Sequence, residues 1–162
     1  MRLTTFTDYS LRLLIYAAAR GDRLITIEEA HRVYGISRGH LMKVANHLTR
    51  EGFLKAVRGR SGGVTLAKHP REIRLGDVVR ATEPDFALVE CFAAGGQCAI
   101  ARCCALPGIL NEALNVFVSV LDRYTLEELM LHPNRFLSAP MKRLPRRGPP
   151  PGLRAGEARR AG

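Results

Sequence analysis

All four cysteines of this 162-residue chain fall within the fourteen residues from Cys91 to Cys104. Gly95 and Gly96 lie between the first pair, Cys91 and Cys98, while Cys103 and Cys104 are adjacent. Thiolate is a soft donor, so thiols gathered on a glycine-containing loop point to a bound metal or an iron-sulfur cluster. Structural zinc fits less well, because its cysteines usually pair about two to four residues apart.

The elements that must position such a loop begin with the compartment and the charge. The longest apolar run, Leu13 to Ala19, is well short of the roughly 20 residues of a membrane span. The first residues are polar and charged rather than a signal peptide's apolar segment. The chain is therefore expected to be soluble and cytoplasmic, a reducing setting in which clustered cysteines serve as ligands or redox thiols rather than disulfides. At 46% hydrophobic residues it can bury a compact core.

The net charge of +10 is unevenly spread. Residues 1–80 carry 15 Lys/Arg against 7 Asp/Glu, residues 81–131 carry 2 against 7, and residues 132–162 carry 8 against 1. A basic first half is the footprint of a protein that neutralises phosphates, although a solvated arginine face would look the same. Periodicity has to decide.

A helix is expected to run from around Thr7 and Asp8 to near Gly21, with Asp8 placed to complement its N-terminus or to pair with Arg12 four residues on. Thr26 followed by Glu29 has the capping-box spacing and opens a short helix that Gly35 ends. Ser37 can cap the next helix, in which Leu41, Val44, Ala45 and Leu48 share one face. Arg38, His40, Lys43, Asn46 and His47 are left for the other faces. Two short helices joined at a glycine, the second basic near its start, make a helix-turn-helix whose second helix enters the major groove of DNA.

Phe53 to Arg58 alternates like a strand, Gly59 to Gly63 supplies a turn, and Val64 to Ala67 returns. Arg58 and Arg60 at the tip of such a hairpin match the phosphate- or minor-groove-contacting wing of a winged helix. Expected DNA contacts are thus Ser37, Arg38, His40, Lys43, Arg58 and Arg60. A further helix is expected over Leu75 to Ala81. Beyond the cysteines, Pro107 suits the first turn of a longer helix in which Leu110, Leu114, Phe117 and Leu121 are spaced 4, 3 and 4, read as a dimer seam rather than core packing. Thr125 begins a capped final turn, and from His132 the Pro-, Gly- and Arg-rich chain reads as disordered. The fold class is mainly α with a small β-hairpin: a winged helix-turn-helix plus a long dimerisation helix. The expected division is a DNA-binding domain at 1–83, a cysteine-rich loop at 84–106, a dimerisation helix at 107–131 and a basic tail at 132–162.

Taken together, the motifs resemble those of the winged-helix iron-sulfur transcription regulators, and within them the nitric-oxide-sensing repressors. The likeness covers residues 1 to about 131. It is carried by the opening Met-Arg-Leu-Thr-Thr-Phe-Thr-Asp-Tyr-Ser-Leu-Arg, by Tyr34-Gly-Ile-Ser-Arg, by Val57-Arg-Gly-Arg-Ser-Gly-Gly, by Gly76-Asp-Val-Val-Arg and by Glu90-Cys-Phe. The resemblance implies a homodimer that represses transcription from operator DNA and lets go after nitric oxide reacts with its cluster. It implies one [4Fe-4S] cluster per subunit, with a [2Fe-2S] form after oxidation, held by Cys91, Cys98 and Cys104. The pattern of that family, with five residues between the second and third ligands and a leucine two positions after the third, implies Cys104 as the third ligand, with Cys103 an extra thiol that could compete for the place. In the cluster-biogenesis branch a histidine three residues after the last cysteine is the fourth ligand, and here that position is Pro107. In the nitric-oxide-sensing branch it is a carboxylate from the first helix of the partner subunit, which corresponds to Asp8. An iron-responsive repressor of the same fold is the nearest alternative, and an iron-sulfur electron carrier a more distant one. No constellation of nucleophile, base and oxyanion donors marks an enzyme.

Overall fold

The computed structural model describes residues 2–59, 61–89, 92, 98, 100 and 103–130. Arg60, Cys91 and the tail therefore lie outside the described residues. The chain runs through α1 (Thr5–Ala19), α2 (Ile27–Tyr34), α3 (Arg38–Arg50), β1 (Leu54–Val57), β2 (Gly63–Leu66), α4 (Leu75–Thr82) and α5 (Leu106–Asp122), with 3-10 turns at Pro70–Glu72 and Glu128–Met130. This is the expected mainly helical architecture with one antiparallel hairpin.

Local chemistry sets most of the helix ends. Thr4 caps α1 by accepting from the Thr7 amide at 3.2 Å, earlier than the sequence reading placed the start, and Thr7 itself is buried. Thr26 and Glu29 form the capping box in both directions, Glu29 N–H to Thr26 Oγ1 at 3.1 Å and Thr26 N–H to Glu29 Oε2 at 2.8 Å. Gly35 ends α2 in the left-handed region at φ +66°, where a side chain would be strained. Ser37 Oγ then accepts from the His40 amide at the start of α3.

One core joins these elements. Leu13, Leu14 and Ala17 of α1 pack with Ala30 of α2, Leu41, Val44 and Leu48 of α3, Leu54 and Val64 of the hairpin, Ile73, Val78 of α4, and Leu126. Burying each leucine or valine is worth roughly 1.5–3 kcal/mol. The hairpin pairs Leu54 with Leu66 and Val57 with Gly63. It is tied to the helices where Ile25 and Val64 exchange backbone hydrogen bonds of 2.9 and 2.8 Å.

The end of α5 is fastened to this core. Arg80 of α4 donates to both carboxylate oxygens of Asp122, at 3.1 and 2.6 Å, and to Asp77 at 2.7 Å. Arg74 Nη1 donates to the Asp122 carbonyl at 3.0 Å. Just beyond, the Leu75 amide donates to Tyr124 and the Leu126 amide to Ile73, at 3.0 and 2.9 Å. No residue of α5 itself is buried. Among the described residues no helix is long and apolar enough to cross a membrane.

Candidate nucleic-acid interface and cysteine loop

The expected face of α3 is the observed one, with Leu41, Val44, Ala45 and Leu48 all buried. This leaves Arg38, His40, Met42, Lys43 and Asn46 exposed. Ser37 Oγ also lies 3.0 Å from His40 Nδ1, so its hydroxyl is committed to the helix start. His40 lies beside Tyr9 of α1, with ring centroids 6.1 Å apart. His47, assigned from sequence to an outer face, is instead half-buried: its Nε2 donates to the Ala81 carbonyl at 2.7 Å and its ring meets Phe6 edge-on. It holds α3 against α4 and α1. Sequence reasoning passed over Met42, an apolar side chain left 53% exposed among basic neighbours.

At the leading end of α3, Arg38 donates through Nε to Glu28 of α2, whose other carboxylate oxygen accepts from Arg32 Nε at 3.1 Å. The hydrogen bond from Arg38, with the charges of both arginines, lowers the Glu28 pKa from 4.5 to about 2. Tyr34 closes α2 onto α1 by donating to the Arg12 carbonyl at 3.0 Å, and burial raises its phenol well above the usual value of 10. In the hairpin, Arg58 follows β1 and is exposed.

Asp8 lies in the first turn of α1. Arg12 grips its carboxylate, Nη2 to Oδ2 at 2.7 Å and Nε to Oδ1 at 3.0 Å, which is the i, i+4 pairing foreseen from sequence. The Asp8 side chain remains 48% exposed. The α1 start is joined to the approach of the cysteine loop, since Thr4 N and Oγ1 both donate to Glu83 Oε1, at 2.8 and 3.1 Å.

Cys98, Cys103 and Cys104 are free thiols, the first two exposed and the third half-buried. A set of free, accessible thiols fits the soft-donor demand of an iron-sulfur cluster. Cys103 donates its thiol to the Ile100 carbonyl, 3.4 Å away. Among the described residues, no three His, Cys, Asp or Glu side chains stand together as a metal site, and Cys91 is outside them. Asp85, Phe86, Phe92, Pro107 and Leu114 line an open cavity of about 600 Å³ beside the loop.

The two apolar stripes of α5 differ in exposure within the chain. Leu110, Leu114, Phe117 and Leu121 are half-buried, whereas Leu106, Ile109 and Val116 are 48%, 61% and 58% exposed. The exposed apolar stripe is thus offset by one position from the stripe read off the sequence.

The model of the Rrf2 family, described as an iron-dependent transcriptional regulator, matches residues 3–132. The chain is 48% identical over 132 residues to the HTH-type transcriptional regulator NsrR of Bacillus subtilis, an alignment covering 80% of this chain and 90% of that protein. It is 47% identical over 131 residues to protein aau3 of Rhizobium meliloti, covering 80% and 85%. Among solved structures it is similar to CymR, the global cysteine regulator of B. subtilis, with a TM-score of 0.60 and 26% identity over 80% of this chain and 95% of that one. A Listeria innocua protein described as a transcriptional regulator superposes with a TM-score of 0.66 and 29% identity, covering 82% and 88%. The helix-turn-helix, wing, long helix and cysteine-bearing loop, matched as one unit by the family model, make this chain a member of the Rrf2 family, a transcriptional regulator and not an enzyme.

Proposed function

We propose that the chain is a homodimeric, nitric-oxide-responsive repressor that binds operator DNA through α3 and the hairpin. The observation that carries the DNA part is the sidedness of α3: four apolar side chains are buried while Arg38, His40 and Lys43 stay in solvent at the end that reaches base edges. Arg58 and Arg60 of the hairpin segment serve as phosphate contacts, and Ser37 holds the helix start. Residues 1–83 bind DNA, 84–106 form the sensing loop, 107–131 pair the subunits and 132–162 form a basic tail.

In the sensing part, Cys91, Cys98 and Cys104 would hold a [4Fe-4S] cluster and the partner subunit's Asp8 would complete it. The cluster, when bound, supplies iron that reacts with nitric oxide. Cys103, which donates to the Ile100 carbonyl, is left outside the proposed ligand set. Asp8 would offer a hard oxygen donor, weaker toward such iron than thiolate, which would leave that iron the one most open to a small ligand. Arg12 fixes the carboxylate in one orientation, still accessible to a neighbour. A ligand that crosses between subunits ties the loop of one chain to α1 of the other, so its loss alters the relation of the two recognition helices.

The family's description as iron-dependent favours a second reading, in which the same site reports iron supply. Anaerobic absorbance spectroscopy, run alongside operator binding, separates the two. Stepwise nitric oxide is expected to bleach the spectrum and release DNA, with a chelator acting far more slowly; the reverse order supports the iron reading. Asp8→Ala is expected to alter the spectrum and blunt the nitric oxide response. An unchanged spectrum and response in that variant would exclude Asp8 from the site.

A further inference from the structure

Glu28 is an acidic residue at the front of a surface read as anion-binding, in a half of the chain where 15 basic residues face 7 acidic ones. It sits in the first turn of α2, where the helix dipole favours it. Its side chain spans the turn to Arg38, the first residue of α3. Its second oxygen is taken by Arg32, four residues along the same helix. Both arginines are engaged through Nε, and among the described residues the terminal Nη groups of Arg38 have no hydrogen-bond partner.

That choice of nitrogen matters. An unsupported arginine at a helix start has a long rotatable arm and lies at the end of the dipole that disfavours cations. A carboxylate on Nε sets the guanidinium plane and leaves the paired Nη edge free. Guanine presents N7 and O6 in the major groove at the spacing of two parallel N–H donors, and an arginine edge satisfies both. A phosphate contact needs no such orientation, and an adjacent carboxylate would repel the phosphate. An anion at the tip of the recognition helix therefore works against backbone binding and in favour of base reading.

We propose that Glu28 is a positioning residue for sequence recognition: it holds Arg38 by Nε so that the Nη edge reads one guanine in each half-site, while Arg32 keeps Glu28 itself in place. This rests on the reading of α3 as the major-groove helix. Glu28 is ionised at neutral pH, as an ordinary carboxyl would be, and its contacts with Arg38 and Arg32 lower its pKa further.

The test starts from a random-sequence duplex library, from which the full-length protein selects its preferred site. Binding to every single-base variant of that site is then measured for the wild type, Glu28→Ala, Arg38→Ala and the double variant, each checked for an unchanged unfolding midpoint. Wild type is expected to prefer guanine at one position per half-site by roughly 5- to 150-fold. Arg38→Ala should lose the preference at that position alone. Glu28→Ala should lose most of the same preference while binding unselected duplex at least as tightly as wild type, and the double variant should discriminate no worse than Arg38→Ala. If Glu28→Ala keeps full discrimination everywhere, or Arg38→Ala weakens all sequences equally with a shallower salt dependence, the proposal is overturned while α3 keeps its place on DNA. A wild type that selects no sequence would remove the reading of α3 and this proposal together.

Discussion

At the scale of single residues, the pairing of Glu28 with Arg38 and Arg32 has a pH signature. The hydrogen bond from Arg38 and the two arginine charges outweigh desolvation, lowering the carboxyl from 4.5 to about 2. A group depressed in the folded state contributes its stabilisation fully above its unfolded value and loses it as pH falls through the folded one. The pairing is therefore expected to be intact at neutral pH and to fade between about 4.5 and about 2. A carbon-detected NMR titration of the Glu28 carboxyl should give a midpoint near the lower value, moving toward the upper one in Arg38→Ala. Contacts within one turn of helix were legible in the sequence: the Thr26–Glu29 box, the Ser37 cap and the Asp8–Arg12 pair all depend on spacings of three or four residues. Glu28 and Arg38 are ten residues apart across a turn, and no local period brings them together. His47 was misread for a related reason, because only the position of α4 turns its ring inward to Ala81.

At the scale of elements, the junction of α4 with α5 depends on the absence of a side chain. A β-carbon on Gly76 would collide with the Asp122 carboxylate, which Arg80 holds in place by hydrogen bonds that also lower the acid's pKa and raise the arginine's. Gly76→Ala is expected to destabilise the fold by about 1–3 kcal/mol through overpacking, measured by urea unfolding. Adding Asp122→Ala should recover part of that loss, since the two sites are in contact and do not act independently. The Gly76-Asp-Val-Val-Arg motif was visible in the sequence, whereas its engagement with a residue more than forty positions later was not. The helix α5 itself was legible from Pro107 and its apolar spacing. Which of its stripes packs on its own chain was not, because Leu106, Ile109, Ala113, Val116 and Val120 repeat at threes and fours as well as the neighbouring set does. Spacing alone cannot tell which of two adjacent stripes is the more covered by the chain itself; the half-burial of Leu110, Leu114, Phe117 and Leu121 does.

At the scale of the whole molecule, α5, 17 residues long, leaves Leu106, Ile109 and Val116 exposed as an apolar stripe. In the proposed homodimer it meets the same stripe on a second copy, centred on Ile109 and Val116. Replacing both with glutamate is expected to convert the dimer to a monomer in sedimentation velocity and to weaken operator binding, since one subunit then reaches one half-site. The unfolding midpoint of the winged domain should change little, because neither side chain enters its core. Sedimentation as a dimer after both changes would rule out this stripe as the seam.

The same helix, half-buried along one side, is fastened by hydrogen bonds at one end. Its C-terminal end is clamped by Arg80, Arg74 and the backbone pairing of Leu75 with Tyr124, while its other end begins two residues beyond Cys104. A rod of that length extends about 25 Å, so a swing of about 5° at the clamp moves the tip by about 2 Å. Read in the other direction, a displacement at the cysteine end is a torque on α4. Through the Ala81 carbonyl that holds His47, α4 bears directly on α3. Leverage can thus reach the recognition helix from the cysteine loop without a continuous relay of side chains along α5.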